Sequence, residues 1–140
     1  FPKAKICADP FHVVKNLVMC FQYIRIAVMK KYEHLKREGS NYYWLFKKFW
    51  KFLIMDISKI TNDPIKGTKS GMLMSKYQII ECMLSLDPKL RKAYDLKEEY
   101  RNFVATSNID VANDELNVLI SKFKEAHIPE YAKFIRLFNN

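Results

Sequence analysis

The 140 residues are enough for one domain with its own hydrophobic core. Hydrophobic residues make up 49% of the chain and aromatic residues 14%. This composition excludes a disordered chain, because enough apolar surface is present to offset the entropy lost on folding. The net charge of +9 lies mainly in the first half, where residues 1–60 carry 12 Lys and Arg against 4 Asp and Glu, while residues 61–140 carry 12 against 11. This asymmetry fits a polyanionic partner, nucleic acid or an anionic membrane surface, and also a solubilising face.

The absence of targeting segments and the cysteine pattern further limit the class of protein. No N-terminal stretch has the order of a signal peptide, and no apolar run approaches the roughly 20 residues of a membrane-spanning helix. Cys7, Cys20 and Cys82 form an odd number without a C-x-x-C pair, which fits neither a disulfide framework nor a zinc site. We therefore expect a cytoplasmic protein. Because the chain starts at Phe1 rather than Met, within what looks like a structural element, we expect the natural protein to continue in both directions.

The first 40 residues predict one strand and one long helix. Lys3 to Ala8 is the strand candidate. From Phe11 the apolar residues recur with helical spacing, which predicts a helix to about Arg37 that Gly39 ends. Its polar stripe consists of Lys15, Gln22, Arg25, Glu33 and Lys36.

Residues 42–60 predict a second helix that is apolar almost all round. Lys47, Lys51 and Ser58 align along one narrow stripe, with Lys48 and Lys59 beside it, so we expect a mostly buried helix with one basic edge in water. Residues 61–71 collect Pro, Gly, Asn, Asp and Ser, which predicts a loop.

Four shorter helices complete the prediction. They run from Ser75 to Leu86, from Pro88 to about Val104, from Asp110, and from Pro129. In the helix from Pro88, the residues expected to face the core are Leu90, Ala93, Tyr94 and Val104. The fold class is therefore all-α, mainly helical, with about six helices and one short N-terminal strand, in a single domain over residues 1–140 whose helical region is 10–140.

Asp9 and His12 form a D-x-x-H pattern where the strand candidate meets the first helix. Asp9 suits the N-cap of that helix, and Pro10 suits its first position because the missing N–H would have no partner there. Asp87-Pro88 repeats this arrangement with no histidine nearby, so the residues alone favour a cap. A first-turn histidine such as His12 packs or hydrogen-bonds locally more often than it binds metal.

The sequence gives little support for a two-metal site, a phosphate-binding loop or a histidine metal site. Two-metal phosphoryl chemistry needs several carboxylates around ions about 3.5–4 Å apart, and Asp9 is the only acid at the end of a strand candidate. The GTKSG stretch at residues 67–71 lacks the glycine before its lysine and a preceding strand. His34 and His127 have no Cys or His at ligand spacing. We therefore predict neither a metal site nor a cofactor within this chain.

The basic edges of the first two helices are the candidate DNA contacts. A solvated face is the simpler interpretation of any single lysine, but their number favours contact with a phosphate backbone. The set is Lys15, Arg25, Lys30, Lys31, Lys47, Lys48, Lys51 and Lys59, with Lys36 and Arg37 beside it. The aromatic residues of the second helix have helical spacing and are interpreted as core rather than as base-stacking rings: Tyr42, Tyr43, Trp44, Phe46, Phe49, Trp50 and Phe52.

Four segments resemble the bacterial insertion-sequence transposases of the ISL-three family. FPKAKICADPFHVVKNL, followed by Arg25, is similar to a family phrase of the form F-P-x-A-x-x-x-A-D-x-F-H-V-V. The likeness continues through YYWLFKKFWKFLI (42–54), LDPKLRKAYDLKEEYRNF (86–103) and IPEYAKF (128–134), and so spans most of the chain. This ordered series is far more specific than D-x-x-H alone.

The resemblance implies an RNase H-like catalytic domain of the DDE type, in which three acidic residues hold two Mg²⁺ ions. It also implies that a helical insertion interrupts the sheet, with residues 1–9 as a strand remnant of the RNase H-like core. Asp9 and His12 would lie near the start of that insertion, and the catalytic acids before Phe1 and after Asn140. Asp9 and His12 are therefore not assigned as catalytic residues. Where family members commonly carry Arg, this chain has Pro10, so a phosphate contact from that position is lost.

These observations lead to a first hypothesis, that the chain is the helical insertion region of a DNA transposase. It would contribute contacts to transposon-end DNA or to other subunits of a homo-oligomer, and would be inactive alone. The alternative is a helical protein-interaction module whose basic face meets an acidic partner. Peripheral membrane attachment is disfavoured, because the second helix is apolar on too many sides to leave a core.

Overall fold

The computed structural model describes residues 10–33, 41–61, 63–66, 73–106 and 112–138, and this part of the chain is mainly helical, as predicted. The α-helices of the described ranges are α1 (Pro10–Lys31), α2 (Asn41–Ile54), α3 (Lys76–Leu84), α4 (Pro88–Thr106), α5 (Ala112–Glu125) and α6 (Ala132–Arg136). Strands β1 (Pro64–Lys66) and β2 (Leu73–Ser75) pair antiparallel, with Ile65 opposite Met74. Short 3₁₀ turns cover Ile57–Lys59 and Pro129–Tyr131.

The chain forms two compact units. Unit 1 comprises Phe1–Tyr23 and Lys92–Asn140, and unit 2 comprises Ile24–Arg91, so α1 and α4 each contribute to both. Unit 2 carries 14 Lys and Arg against 6 Asp and Glu, whereas unit 1 carries 10 against 9. The positive charge of the protein therefore belongs to unit 2. The prediction of a single domain stays a prediction.

Unit 1 is organised around aromatic side chains of α5, α6 and the turn between them. The ring of Phe123 lies with its centroid 5.1 Å from that of Tyr131 and 4.9 Å from that of Phe134, and all three residues are buried. The Tyr131 hydroxyl donates to the Ala93 carbonyl of α4 at 2.6 Å, so the largest buried ring is also satisfied as a donor. Lys97 is buried in this unit as well, with its ammonium beside Glu98 and over the Tyr94 ring.

Unit 2 packs apolar residues of several helices, and its helix ends are capped by side chains. Its buried residues include Ile24, Val28, Phe46, Leu53, Ile79, Met83 and Leu90. Ser75 and Gln78 form a reciprocal capping box at the start of α3. Asp87 Oδ1 accepts from the backbone N–H groups of Lys89 (2.8 Å) and Leu90 (3.2 Å). The sequence prediction that Asp87 caps the following helix is confirmed.

The first helix is shorter than predicted, since α1 ends at Lys31 rather than near Arg37. Tertiary contacts hold its last turn: the Tyr32 hydroxyl donates to the Leu86 carbonyl at 3.0 Å, and Lys31 pairs with Asp87. The spacing of apolar residues in the sequence does not predict such tertiary contacts. Residues 34–40, with the predicted cap Gly39, lie outside the described residues, as does the strand candidate at residues 3–8.

The second helix also ends early, at Ile54 instead of residue 60. Asp56 accepts from the Ser58 backbone N–H at 3.0 Å and from its hydroxyl at 2.8 Å, which starts a 3₁₀ turn in place of continued α-helix. Two further expectations need correction. The predicted loop at 61–71 contains β1, whose three residues are too short to show alternation, and Val104 is exposed rather than inward because it lies near the end of α4.

Candidate nucleic-acid interface

Helix α2 separates its apolar and basic residues more sharply than its composition suggests. Phe46, Phe49 and Leu53 recur at spacings of three and four and are buried. Lys47, Lys48 and Lys51, which we call the α2 lysines, are all exposed. Because residues three and four apart lie on the same side of a helix, these three ammonium groups form one surface. This part of the predicted DNA-contacting set is brought together by a single element.

Aromatic rings lie beneath each α2 lysine. The Nζ atoms of Lys47, Lys48 and Lys51 lie 5.1, 5.6 and 5.8 Å from the ring centroids of Trp44, Phe49 and Trp50, respectively. A cation–π contact at an exposed site contributes about 0.5–1 kcal/mol and does not neutralise the cation. The rings therefore restrain the lysines at the surface while their charge stays available to an anion.

The last turn of α1 supplies two further cations, which differ in their partners. Lys30 is exposed. Lys31 Nζ lies 2.7 Å from Asp87 Oδ2, and this hydrogen bond is the main reason why the pKa of Lys31 is raised. Burial by itself would raise the pKa of Asp87, but the bond from Lys31 and the N–H groups of Leu90 and Lys89 outweigh it and hold that pKa below its ordinary value. The charge of Lys31 is thus largely committed within unit 2.

Arg25 does not lie on the polar surface where its position in the stripe suggested. It is only 8% exposed, and its guanidinium carbon lies 4.5 Å from the centroid of the Trp50 ring. Burial lowers its pKa. A planar guanidinium can pack flat on an aromatic ring in a way that periodicity does not anticipate. We therefore leave Arg25 out of the proposed contact surface.

The remaining candidates are dispersed. Lys59 lies exposed in the 3₁₀ turn after α2, within unit 2. Lys15 and His12 are exposed residues of α1 and belong to unit 1, while Asp9 lies outside the described residues, as do Lys36 and Arg37. The D-x-x-H interpretation of Asp9 and His12 therefore stays a prediction.

One cation was missed by sequence reasoning. Lys76 begins α3, and its Nζ donates to Thr61 Oγ1 at 3.0 Å and lies 5.8 Å from the Phe52 ring centroid. Since Phe52 belongs to α2, this contact brings a lysine of the second half of the chain close to the basic helix. In the sequence, Lys76 is distinguished only by its place directly after Ser75, at the start of a helix. That place gives no information on its tertiary neighbours.

Trp44 corrects the interpretation of the α2 aromatics as core. The interpretation holds for Phe46 and Phe49, which are buried, but Trp44 is 40% exposed. Its ring lies edge-on to Tyr43, with centroids 6.2 Å apart and an interplanar angle of 80°. A large aromatic ring thus reaches solvent on the helix that carries the α2 lysines.

Metal-binding side chains do not cluster in the part of the chain that the structure describes. Across the described ranges, no three His, Cys, Asp or Glu side chains gather so that they could hold a metal ion. The described donors therefore do not fit the Mg²⁺ pair that the resemblance implies for a DDE enzyme. Among the helices that the structure describes, none has both the length and the apolar character needed to cross a membrane.

Comparison with known protein families identifies a transposase family. The sequence model of the DDE transposases of the ISL-three type matches residues 1–140 of the chain. No curated protein and no solved structure matches the chain.

Proposed function

Because the chain belongs to the ISL-three family of DDE transposases, we propose that unit 2 contacts DNA during transposition through the α2 lysines. In the intact protein this region would be the helical insertion of an RNase H-like catalytic domain, and it would bind transposon ends rather than carry out the phosphoryl transfer. A cytoplasmic location, where bacterial DNA is found, is part of the same proposal.

The observation that carries the proposal is the exposed row of Lys47, Lys48 and Lys51 on a helix whose opposite side is buried. The row lies in the unit with 14 basic against 6 acidic residues. Contacts between lysine ammonium groups and phosphates carry no sequence information, so the binding should depend strongly on salt and little on DNA sequence.

The test compares two triple charge reversals in the 140-residue chain. K47E/K48E/K51E changes the α2 lysines, and K92E/K124E/K133E changes three exposed lysines of unit 1 by the same total charge. Fluorescence anisotropy with a labelled 20-base-pair duplex at low salt measures binding. We expect the first variant to bind at least about tenfold more weakly than the second, because it alone removes the contact surface.

Equal weakening by both variants would show that binding responds only to total charge. Absence of DNA binding by the wild-type chain at low salt, together with a stable dimer in solution, would favour the protein-interaction alternative. Circular dichroism should show that both variants keep their helix content, since all six substituted side chains are exposed.

A further inference from the structure

Trp44 is an exposed aromatic ring in a cationic setting. It lies in the first turns of α2, and 40% of its surface is accessible, whereas Phe46 and Phe49 of the same helix are buried. A tryptophan ring carries a large apolar area, and leaving it partly in water forgoes the stabilisation that its burial would give. The fold therefore presents Trp44 at the surface instead of using it fully in packing.

Neighbouring side chains hold the ring in a defined orientation. Tyr43 lies edge-on to it with centroids 6.2 Å apart, and Lys47 Nζ lies 5.1 Å from its centroid. Because Trp44 and Lys47 are three residues apart on a helix, the ring and the ammonium group share one side of α2. A ligand that contacts the ring therefore also meets the positive charge of the α2 lysines.

We propose that Trp44 is a stacking platform for an unpaired nucleobase of DNA whose phosphates are contacted by the α2 lysines. The inference rests on the proposed function and adds a second, aromatic component to it. Stacking of a base on an aromatic side chain is stronger than a cation–π contact at an exposed site. A base can therefore displace the Lys47 ammonium from the ring, and that ammonium then pairs with a phosphate of the same strand.

The dimensions of the helix agree with this ligand. Trp44 and Lys51 are seven residues apart, which corresponds to about 10 Å along the helix axis. This length corresponds to about three phosphates of one strand at the B-DNA spacing of about 3.4 Å, so the ring and the α2 lysines are within reach of the same few nucleotides. In an intact duplex the base faces are covered by their neighbours, so the ring reaches a base face only where a base is unpaired or flipped out. The ligand class is therefore single-stranded or locally unpaired DNA, with little preference among the bases.

The first experiment measures binding of W44A to a single-stranded 20-mer and to the same sequence as a duplex, by anisotropy at constant salt. We expect W44A to bind the single strand about tenfold more weakly than wild type, and the duplex within about twofold, because only the single strand offers base faces. Y23A is the matched control, since Tyr23 is an aromatic residue of unit 1 that is 61% exposed. It should leave both affinities unchanged.

The second experiment uses the fact that the chain contains two tryptophans, Trp44 and Trp50. W50F leaves Trp44 as the only indole, and W44F leaves Trp50. Stacking of a base quenches indole emission, so the single-stranded 20-mer should quench W50F strongly and W44F weakly. W50F removes a partner of Arg25, and W44A therefore provides an independent measurement in a chain whose Trp50 is intact.

The outcomes separate the inference from the proposed function. If the wild-type chain binds duplex with a salt dependence that K47E/K48E/K51E abolishes, yet W44A binds the single strand like wild type and Trp44 emission does not change, the stacking platform alone is overturned. If the wild-type chain binds neither DNA at low salt, the DNA contact and the platform fail together. Selective loss of single-strand binding in W44A supports both.

Discussion

The guanidinium of Arg25 lies on the face of Trp50, with its central carbon 4.5 Å from the ring centroid, and the arginine is almost completely buried. One of the eight cations that the sequence marks for DNA thus belongs to the packing of unit 2, whereas Lys47, Lys48 and Lys51 remain at the surface. Some cations of unit 2 therefore belong to its packing and others stay at its surface, and substitutions can tell the two groups apart.

Truncation of Arg25 should reduce stability. R25A removes both the contact with Trp50 and the packing of the aliphatic stem, so we expect the free energy of unfolding to fall by about 1–2 kcal/mol. Urea denaturation followed by circular dichroism measures this change. K30A, which truncates an exposed lysine of the same helix, should change it by no more than about 0.5 kcal/mol. A stable R25A protein with DNA affinity reduced about tenfold would instead assign Arg25 to the DNA surface.

Asp87 should contribute to stability both as a helix cap and as an ion-pair partner. D87A loses the hydrogen bonds to the N–H groups of Lys89 and Leu90 as well as the pair with Lys31, and we expect a loss of about 1–2 kcal/mol in the free energy of unfolding. D87N can still cap α4, because asparagine is as good an N-cap as aspartate. It should lose well under half as much at pH 7. Equal losses in the two variants would contradict the importance of the cap.

The same carboxylate predicts a dependence of stability on pH. The pKa of Asp87 is held below its ordinary value in the folded protein, so its charge favours folding at pH values above the unfolded-state pKa of about 3.9. That contribution is lost as the pH falls through the lower, folded-state pKa. Urea denaturation at pH 7 and at pH 3 should therefore show a smaller decrease in stability for D87N than for wild type. A decrease of the same size in both proteins would place the acid sensitivity elsewhere.

The hydroxyl of Tyr131 should matter less than its ring. Y131F removes the hydrogen bond to the Ala93 carbonyl, and we expect a loss of about 1 kcal/mol. Y131A leaves a cavity where a fully buried ring contacts Phe123, and a loss of about 3–5 kcal/mol is expected. Thermal and urea unfolding give both values. A Y131F loss approaching that of Y131A would mean that the hydroxyl, and not the ring, organises unit 1.

Tyr131 also predicts a sensitivity to alkali. Burial raises its pKa well above the ordinary value, so the folded protein keeps the hydroxyl protonated when the unfolded chain ionises. The resulting contribution to stability is present below the unfolded-state pKa of about 10 and is lost progressively above it. Stability measured between pH 8 and pH 11 should fall more steeply for wild type than for Y131F.

Single neutralisations of the α2 lysines should alter the salt dependence of DNA binding. Each of K47Q, K48Q and K51Q removes one of the proposed phosphate contacts, so the slope of log K against log salt should become less steep by about 0.9 for each variant. The decrease should be the same for unrelated duplex sequences. K124Q, at an exposed position of unit 1, is the matched control and should leave the slope unchanged.

Much of the fold was predictable from residue order. The spacing of apolar residues predicted every α-helix that the structure describes, and the Asp87-Pro88 pair predicted the start of α4. The family was also predictable from the ordered series of motifs that runs from FPKAKICADPFHVV to IPEYAKF. The family match over residues 1–140 confirms this prediction. The concentration of lysines in residues 1–60 predicted which half carries the charge. These properties are local or additive, and a linear sequence contains them directly.

Tertiary structure decided which side chains face the solvent and which distant segment holds the end of α1. Arg25 is buried although it belongs to the polar stripe of the first helix, and Trp44 is exposed although the aromatic residues of the second helix are predicted to be core. Helix α2 has more apolar surface than one buried side requires, so its neighbours select the rings that pack. The last turn of α1 is held by side-chain hydrogen bonds to Leu86 and Asp87 of a distant segment, whereas at the end of α2 the Ser58 N–H is taken by Asp56 in place of continued helix. The spacing of apolar residues indicates which side of a helix tends to be buried. Which side chains are in fact buried depends on the neighbouring segments, and these come together only in the folded protein.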